Sequence, residues 1–106
     1  MSVKNFFTEI PHQIEKEIIE TLVKSNNVRI ERIISDNHSS PKDFRYDQKK
    51  NEFVIVLKGE GIIEFENGKK VVLKEGDYLI IPSHKKHRVD KTSEKEKTIW
   101  LTIFYK

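Results

Sequence analysis

The chain reads as an all-β barrel or sandwich preceded by one helix, and three observations predict this. From Val28 onward the apolar residues recur with a period of two rather than at helical spacing. The apolar runs are short and stop at turn residues, so that seven or eight strands fit between Val28 and Tyr105. Several of these runs are apolar on both faces and need cover on both sides.

The helix is expected over "PHQIEKEIIETLVKS". Pro11 suits a first helical turn, where its missing N–H costs nothing. Ile14, Ile18 and Leu22, with Ile19 and Val23 one step round, form a stripe at helical spacing. Glu15 and Glu17 near the start and Lys24 near the end agree with the helix dipole, and Ser25-Asn26-Asn27 ends the segment. Residues 1–26 are thus expected to form an extension and helix packed on the outside of a barrel built from residues 27–106, the whole being one domain.

The strands follow. "VRIERIIS" puts Val28, Ile30, Arg32 and Ile34 on one face and Arg29, Glu31 and Ile33 on the other. "EFVIVLKG" reads as a strand buried on both sides. "GIIEFENGKKVVLKEGDYLIIP" divides into three strands, with Asn67-Gly68 as the signal for a type I′ hairpin and Glu75-Gly76-Asp77 as the next turn. "HRVDKTS" and "TIWLTIFYK" complete the set, separated by "EKEK". In the last strand Trp100, Thr102 and Phe104 share one face. Ser35 to Arg45 lacks a strand pattern and is expected to line the barrel mouth. Faces that a small barrel leaves uncovered predict a homodimer.

Composition excludes several classes of function. Of 106 residues, Lys and Arg number 20 against 17 Asp and Glu, a net charge of +3 spread without a basic stripe, so no nucleic-acid partner is expected. There is no cysteine, hence no disulfide, zinc–thiolate site or cysteine nucleophile. "MSVKNFF" does not continue as a signal sequence, and no apolar run is long enough for a membrane span, so a cytoplasmic protein without membrane association is expected. "GEG" at Gly59 to Gly61 reads as a turn, too short for a phosphate loop.

Specific chemistry begins at "GDYLIIPSHKKHRV". Gly76, Pro82 and His87 follow the spacing of the second motif of the cupin superfamily, G-x5-P-x-G-x2-H-x3-N, which this stretch resembles. His84 stands in place of the second glycine and Lys91 in place of the asparagine. Upstream, Glu52 and Gly59 match the end of the first motif, G-x5-H-x-H-x3,4-E-x6-G. Its two histidine positions fall on Tyr46 and Gln48 with the shorter gap, or on Arg45 and Asp47 with the longer. The resemblance implies a double-stranded β-helix, or jelly-roll barrel, of the small single-domain type. It also implies that His87 occupies a place that is a metal ligand in metal-binding members.

Strand parity supports a shared interior. Glu52 alternates with Val54 and Val56, and His87 with Val89, so both point inward if those faces line the barrel. A carboxylate there must be paired or bind a cation. Together with the motif positions that the resemblance implies, this makes Gln48, Glu52 and His87 the candidate metal ligands, with Asp47 and His84 as further candidates, for zinc, iron, manganese or nickel. Tyr46 and His84 are the candidate catalytic groups. Phe44, Arg45 and Tyr46 are the candidate pocket rim, where Arg45 suits a carboxylate or phosphate. Trp100 and Phe104 are expected in the core, and His12 and His38 on the surface. Three functions fit: a metal-dependent dioxygenase, isomerase or decarboxylase acting on a small polar metabolite; a metal-free small-ligand binder; and a dimeric structural module.

Overall fold

The computed structural model describes residues 1–106 and contains eight strands. They are β1 (Ile18–Lys24), β2 (Val28–Ser35), β3 (Asn51–Lys58), β4 (Glu60–Phe65), β5 (Lys70–Lys74), β6 (Tyr78–Ile81), β7 (His87–Thr92) and β8 (Thr98–Tyr105). They form a five-stranded sheet, β1-β2-β8-β3-β6, facing a three-stranded sheet, β5-β4-β7, and all pairings are antiparallel. Between them lies a core of Val54, Val56, Ile63, Phe65, Leu73, Ile81 and Trp100.

The expected N-terminal helix is absent, and Ile18–Lys24 is instead an edge strand paired with β2. Ile18, Ile19, Thr21 and Val23 are all β-branched, a composition that favours a pleated surface over a helix. β2 also offers an open edge of backbone donors and acceptors that a strand satisfies and a helix does not. Residues before β1 are pinned by side chains. Arg32 donates to the Phe6 and Thr8 carbonyls at 3.0 and 2.8 Å and pairs with Glu20. Trp100 Nε1 donates to Ser35 Oγ (3.2 Å), whose hydroxyl donates to Glu17 (2.7 Å), tying this segment to the core. His38 is a clamp rather than a free surface residue: Nδ1 accepts from the Asp36 N–H and Nε2 bonds the Glu15 carbonyl, both at 2.8 Å.

Three local expectations change in detail. The β4–β5 hairpin forms, but Asn67 has no positive φ; Gly68 alone does, at 86°. The Gly68 N–H bonds the Phe65 carbonyl (2.9 Å), so the connection is a type I-like turn followed by a left-handed glycine, not a type I′ turn. Gly61 belongs to β4 rather than to a turn, because a Cβ there would lie 2.2 Å from the Trp100 ring, and only glycine admits the indole. β3 buries Glu52, Val54 and Val56 but leaves its other face half-exposed within the single chain. No helix is long and apolar enough to cross a membrane.

Candidate functional site

A cavity of about 540 Å³ opens between the sheets, within the size range of small-molecule sites. Register arranges its five-stranded wall in rows. Arg29, Phe104 and Glu52 are direct cross-strand neighbours, as are Glu31, Thr102 and Val54, and then Ile33, Trp100 and Val56. Depth therefore changes chemistry: the first row carries charge, the second a hydroxyl beside a carboxylate, and the third is apolar. Trp100 packs against Gly61 behind it. From the other sheet, His87 lies opposite Phe65, and Val89 opposite Ile63. The loop before β3 adds Tyr46, which exchanges backbone hydrogen bonds with His87 at 2.7 and 3.2 Å.

Glu52 and His87 meet across the cavity, one from each sheet. Both are buried, and His87 Nε2 is 3.3 Å from Glu52 Oε1. Gln48 Nε2 approaches the same carboxylate oxygen at 3.4 Å. His87 Nδ1 donates to the Lys85 carbonyl at 2.8 Å, so Nε2 carries a proton only when the ring is imidazolium. Burial is the largest single influence and opposes that charge. The hydrogen bond to Glu52, the bond to the Lys85 carbonyl and the Glu52 charge together outweigh it, and the His87 pKa is raised. The raised pKa favours the imidazolium form of His87 beside Glu52, and the pair is placed to give or take one proton beside the cavity.

The other candidates separate into those inside and those outside. Tyr46 lines the cavity, its ring 5.5 Å from that of His87. Its pKa is raised, first by burial and then by the charge of Glu17, with smaller contributions from Glu52 and Glu31 against a hydrogen bond with Ser40. Tyr46 is thus a neutral phenol and a poor base. Asp47 and His84 do not line the cavity; they pair with each other at 2.7 Å on the exposed surface. His84 adopts a φ of 61°, the left-handed conformation that glycine takes most readily. This accounts physically for a glycine at that place in the motif. Phe44 packs edge-on against Tyr46 outside the cavity, and Arg45 turns towards Glu64 (3.5 Å) and two backbone carbonyls, so neither forms the inner rim.

Six polar residues of the site went unassigned by sequence reasoning: Glu17, Arg29, Glu31, Lys49, Lys50 and Thr102. Arg29 stacks on Phe104 (4.2 Å to the ring centre) with Nε 3.0 Å from Glu31. Thr102 Oγ1 is buried with no hydrogen-bond partner. The available signal was parity: Arg29 and Glu31 alternate with Ile33, as Thr102 does between Trp100 and Phe104. Trp100 and Phe104 line the cavity, and Trp100 also belongs to the core.

The donor set does not fit a resident transition metal. His87 and Glu52 supply one imidazole and one carboxylate, and nowhere do three His, Cys, Asp or Glu side chains converge. Catalytic zinc sites use three such protein ligands and structural ones four. The positions that would complete the set are an amide, Gln48, and a phenol held in its neutral form, Tyr46.

A sequence profile described as "Cupin domain" matches residues 35–104. The crystal structure of a provisionally assigned mannose-6-phosphate isomerase from Ralstonia eutropha JMP134 is 36% identical, covers 99% of this chain and 98% of its own, and superposes with a TM-score of 0.93. Two more distant structures share the fold. A cupin superfamily protein from Desulfitobacterium hafniense DCB-2 has 23% identity, coverage of 91% and 83%, and a TM-score of 0.75. An RmlC-like cupin with a double-stranded β-helix fold from Methanocaldococcus jannaschii has 18% identity, coverage of 92% and 86%, and a TM-score of 0.72. No curated protein matches the chain. With its strand order, its glycine and proline turns and the extent of these matches, the chain belongs to the cupin superfamily, as a small single-barrel member.

Proposed function

We infer that this cupin binds a small, largely apolar organic molecule bearing an alcohol or amine head group, and that it does so without a resident metal ion. The observation that carries this reading is the cavity itself. Ile19, Ile33, Val54, Ile63, Val89, Trp100 and Phe104 give it a continuous apolar lining set among charged and polar side chains. Glu17, Glu31 and Glu52 set the charge preference. Arg29, Lys49 and Lys50 line the same cavity and balance them, but Glu31 and Glu52 are the buried acceptors and suit a hydrogen-bond donor such as an alcohol or amine. A sugar phosphate, the substrate class in the name of the Ralstonia relative, would need Arg29, Lys49 or Lys50 to hold its dianion away from Glu31 and Glu52. A second reading, proton transfer on a bound carbonyl compound, is favoured by the raised pKa of His87 beside Glu52.

Thermal shift against a panel of alkyl and aryl alcohols, amines and sugar phosphates tests the inference. A ligand at a hundred times its Kd stabilises by about 2.7 kcal/mol, a shift of several degrees for a chain of this size. Alcohols or amines should give it, and Glu31→Gln should weaken it. Stabilisation by sugar phosphates alone would overturn the reading.

A further inference from the structure

We propose that the ligand of the cavity is an apolar α-amino acid, bound as a zwitterion with its carboxylate on Arg29 and Lys50, its ammonium group on Glu31 and Glu52, and its side chain against Ile33 and Trp100. The proposal rests on the amine head group inferred for this cavity and adds the anionic half of that head group. Three carboxylates (Glu17, Glu31 and Glu52) and three cationic side chains (Arg29, Lys49 and Lys50) line the cavity. A ligand carrying both charges keeps that balance, which an amine or an acid alone shifts. Opposite charges also stand side by side. Arg29 and Glu31 lie two residues apart on β2 and share a face, with Nε 3.0 Å from Oε2. Across the sheet, Arg29, Phe104 and Glu52 form one row. This proximity matches a head group whose ammonium and carboxylate leave the same carbon.

Donors and acceptors remain for both halves. The Arg29 Nε atom is buried near Glu31 without hydrogen-bond geometry, and the guanidinium otherwise only stacks on Phe104. Its planar fork suits a carboxylate. Lys49 and Lys50 take part in no ion pair, and they directly precede β3 at the end that carries the charged row. On the acidic side, His87 and Gln48 both approach Oε1 of Glu52, which leaves Oε2 to a ligand. Arg29 likewise meets Oε2 of Glu31 and leaves Oε1. Both carboxylates are buried, where a charged donor contributes most. Deeper in, Ile33 and Trp100 form an apolar wall, with Ile63 and Val89 on the other sheet. Such a wall offers no partner to the hydroxyls of a sugar and suits a branched or aromatic side chain.

Titration calorimetry with leucine and phenylalanine tests the proposal. The matched amines, isopentylamine and phenethylamine, lack the carboxylate, and the matched acids, isocaproate and hydrocinnamate, lack the ammonium group. At least one amino acid should bind about ten-fold or more tightly than its amine and its acid, as one further charge-assisted pair requires. Arg29→Gln should weaken the amino acid several-fold more than the amine, and Lys50→Gln should do the same to a smaller degree. Lys50 is half-buried and outside the strands, so this second variant keeps the fold if Arg29→Gln does not. Glu31→Gln should weaken amine and amino acid alike. Amines that bind as tightly as the amino acids would overturn the proposal and leave the amine head group standing. Binding of neither class, or of acids and sugar phosphates alone, would overturn both. An amino-acid advantage unchanged in Arg29→Gln and Lys50→Gln would also overturn the proposal.

Discussion

On the outside of the three-stranded sheet, Arg88 donates to Glu64 at 3.1 Å and Asp90 at 2.7 Å, Lys70 meets Asp90 at 3.2 Å, and Arg45 reaches Glu64 at 3.5 Å. On the outside of the five-stranded sheet, the equivalent positions are Ile30, Ile103, Phe53 and Ile80. The inner faces contrast too. The smaller sheet brings one ionisable side chain into the cavity, His87, whereas the larger brings Arg29, Glu31 and Glu52. Apart from the Arg32–Glu20 pair under the N-terminal segment, charge that lies outside on one sheet lies inside on the other. The lesson is that apolar positions on both faces of a strand do not by themselves locate the interior of a barrel. In β3 the buried face is the one that carries a carboxylate.

Breaking the ionic face should have the largest effect. Arg88 is 7% exposed, and its NH2 also donates to the Ser40 carbonyl at 2.9 Å. Arg88→Ala removes the closest partner of two carboxylates, leaving Lys70 to Asp90 and Arg45 to Glu64, and should cost about 2 kcal/mol in urea denaturation, below the full value for a wholly buried pair because both carboxylates are partly solvated. A cost below about 0.5 kcal/mol would mean that this face is an ordinary solvated surface.

The pH profile distinguishes the faces at an intermediate level. Asp90 has a lowered pKa, held down first by the Arg88 hydrogen bond, against burial, and further by Lys70. Its stabilisation is therefore present above the unfolded carboxyl pKa and lost as pH falls through the lower folded value. His87 has a raised pKa, so its contribution is complete below the unfolded histidine pKa and lost as pH rises through the higher folded value. Denaturation midpoints should fall at both ends of the pH range. His87→Gln should remove the alkaline decline and Asp90→Asn should reduce the acid one. An alkaline decline unchanged in His87→Gln would show that the ion pair with Glu52 does not form.

The smallest expected effect is at the turn. His84 is left-handed without being glycine, and its N–H bonds the Gln48 carbonyl at 2.7 Å. His84→Gly should keep the fold and ligand binding and change stability by less than about 1 kcal/mol, relief of the strained φ offsetting the lost contact with Asp47. Loss of binding in this variant would return His84 to the functional site.

Much of this was legible in the sequence. Strand periodicity and the glycine and proline turns located β2 to β8 within a residue or so, because alternation over half-buried strands is a strong local signal. Inward-facing parity brought Glu52 and His87 to the same interior. The N-terminal segment misled because Ile14, Ile18 and Leu22 recur at helical spacing, while the open edge of β2 is a tertiary fact that no local window contains. The same limit hid Arg29, Glu31 and Thr102. Each sits in a strand whose two faces look equally apolar, and only the register across β2, β8 and β3 shows which side faces the cavity.

The central claim is that the two sheets meet at the site through the His87–Glu52 hydrogen bond and not through a metal ion. Metal content of protein purified without chelator tests it most directly. The account predicts zinc, iron, manganese and nickel far below one per chain, with no change in Glu52→Gln or His87→Gln. Close to one ion per chain, lost in both variants, would contradict it.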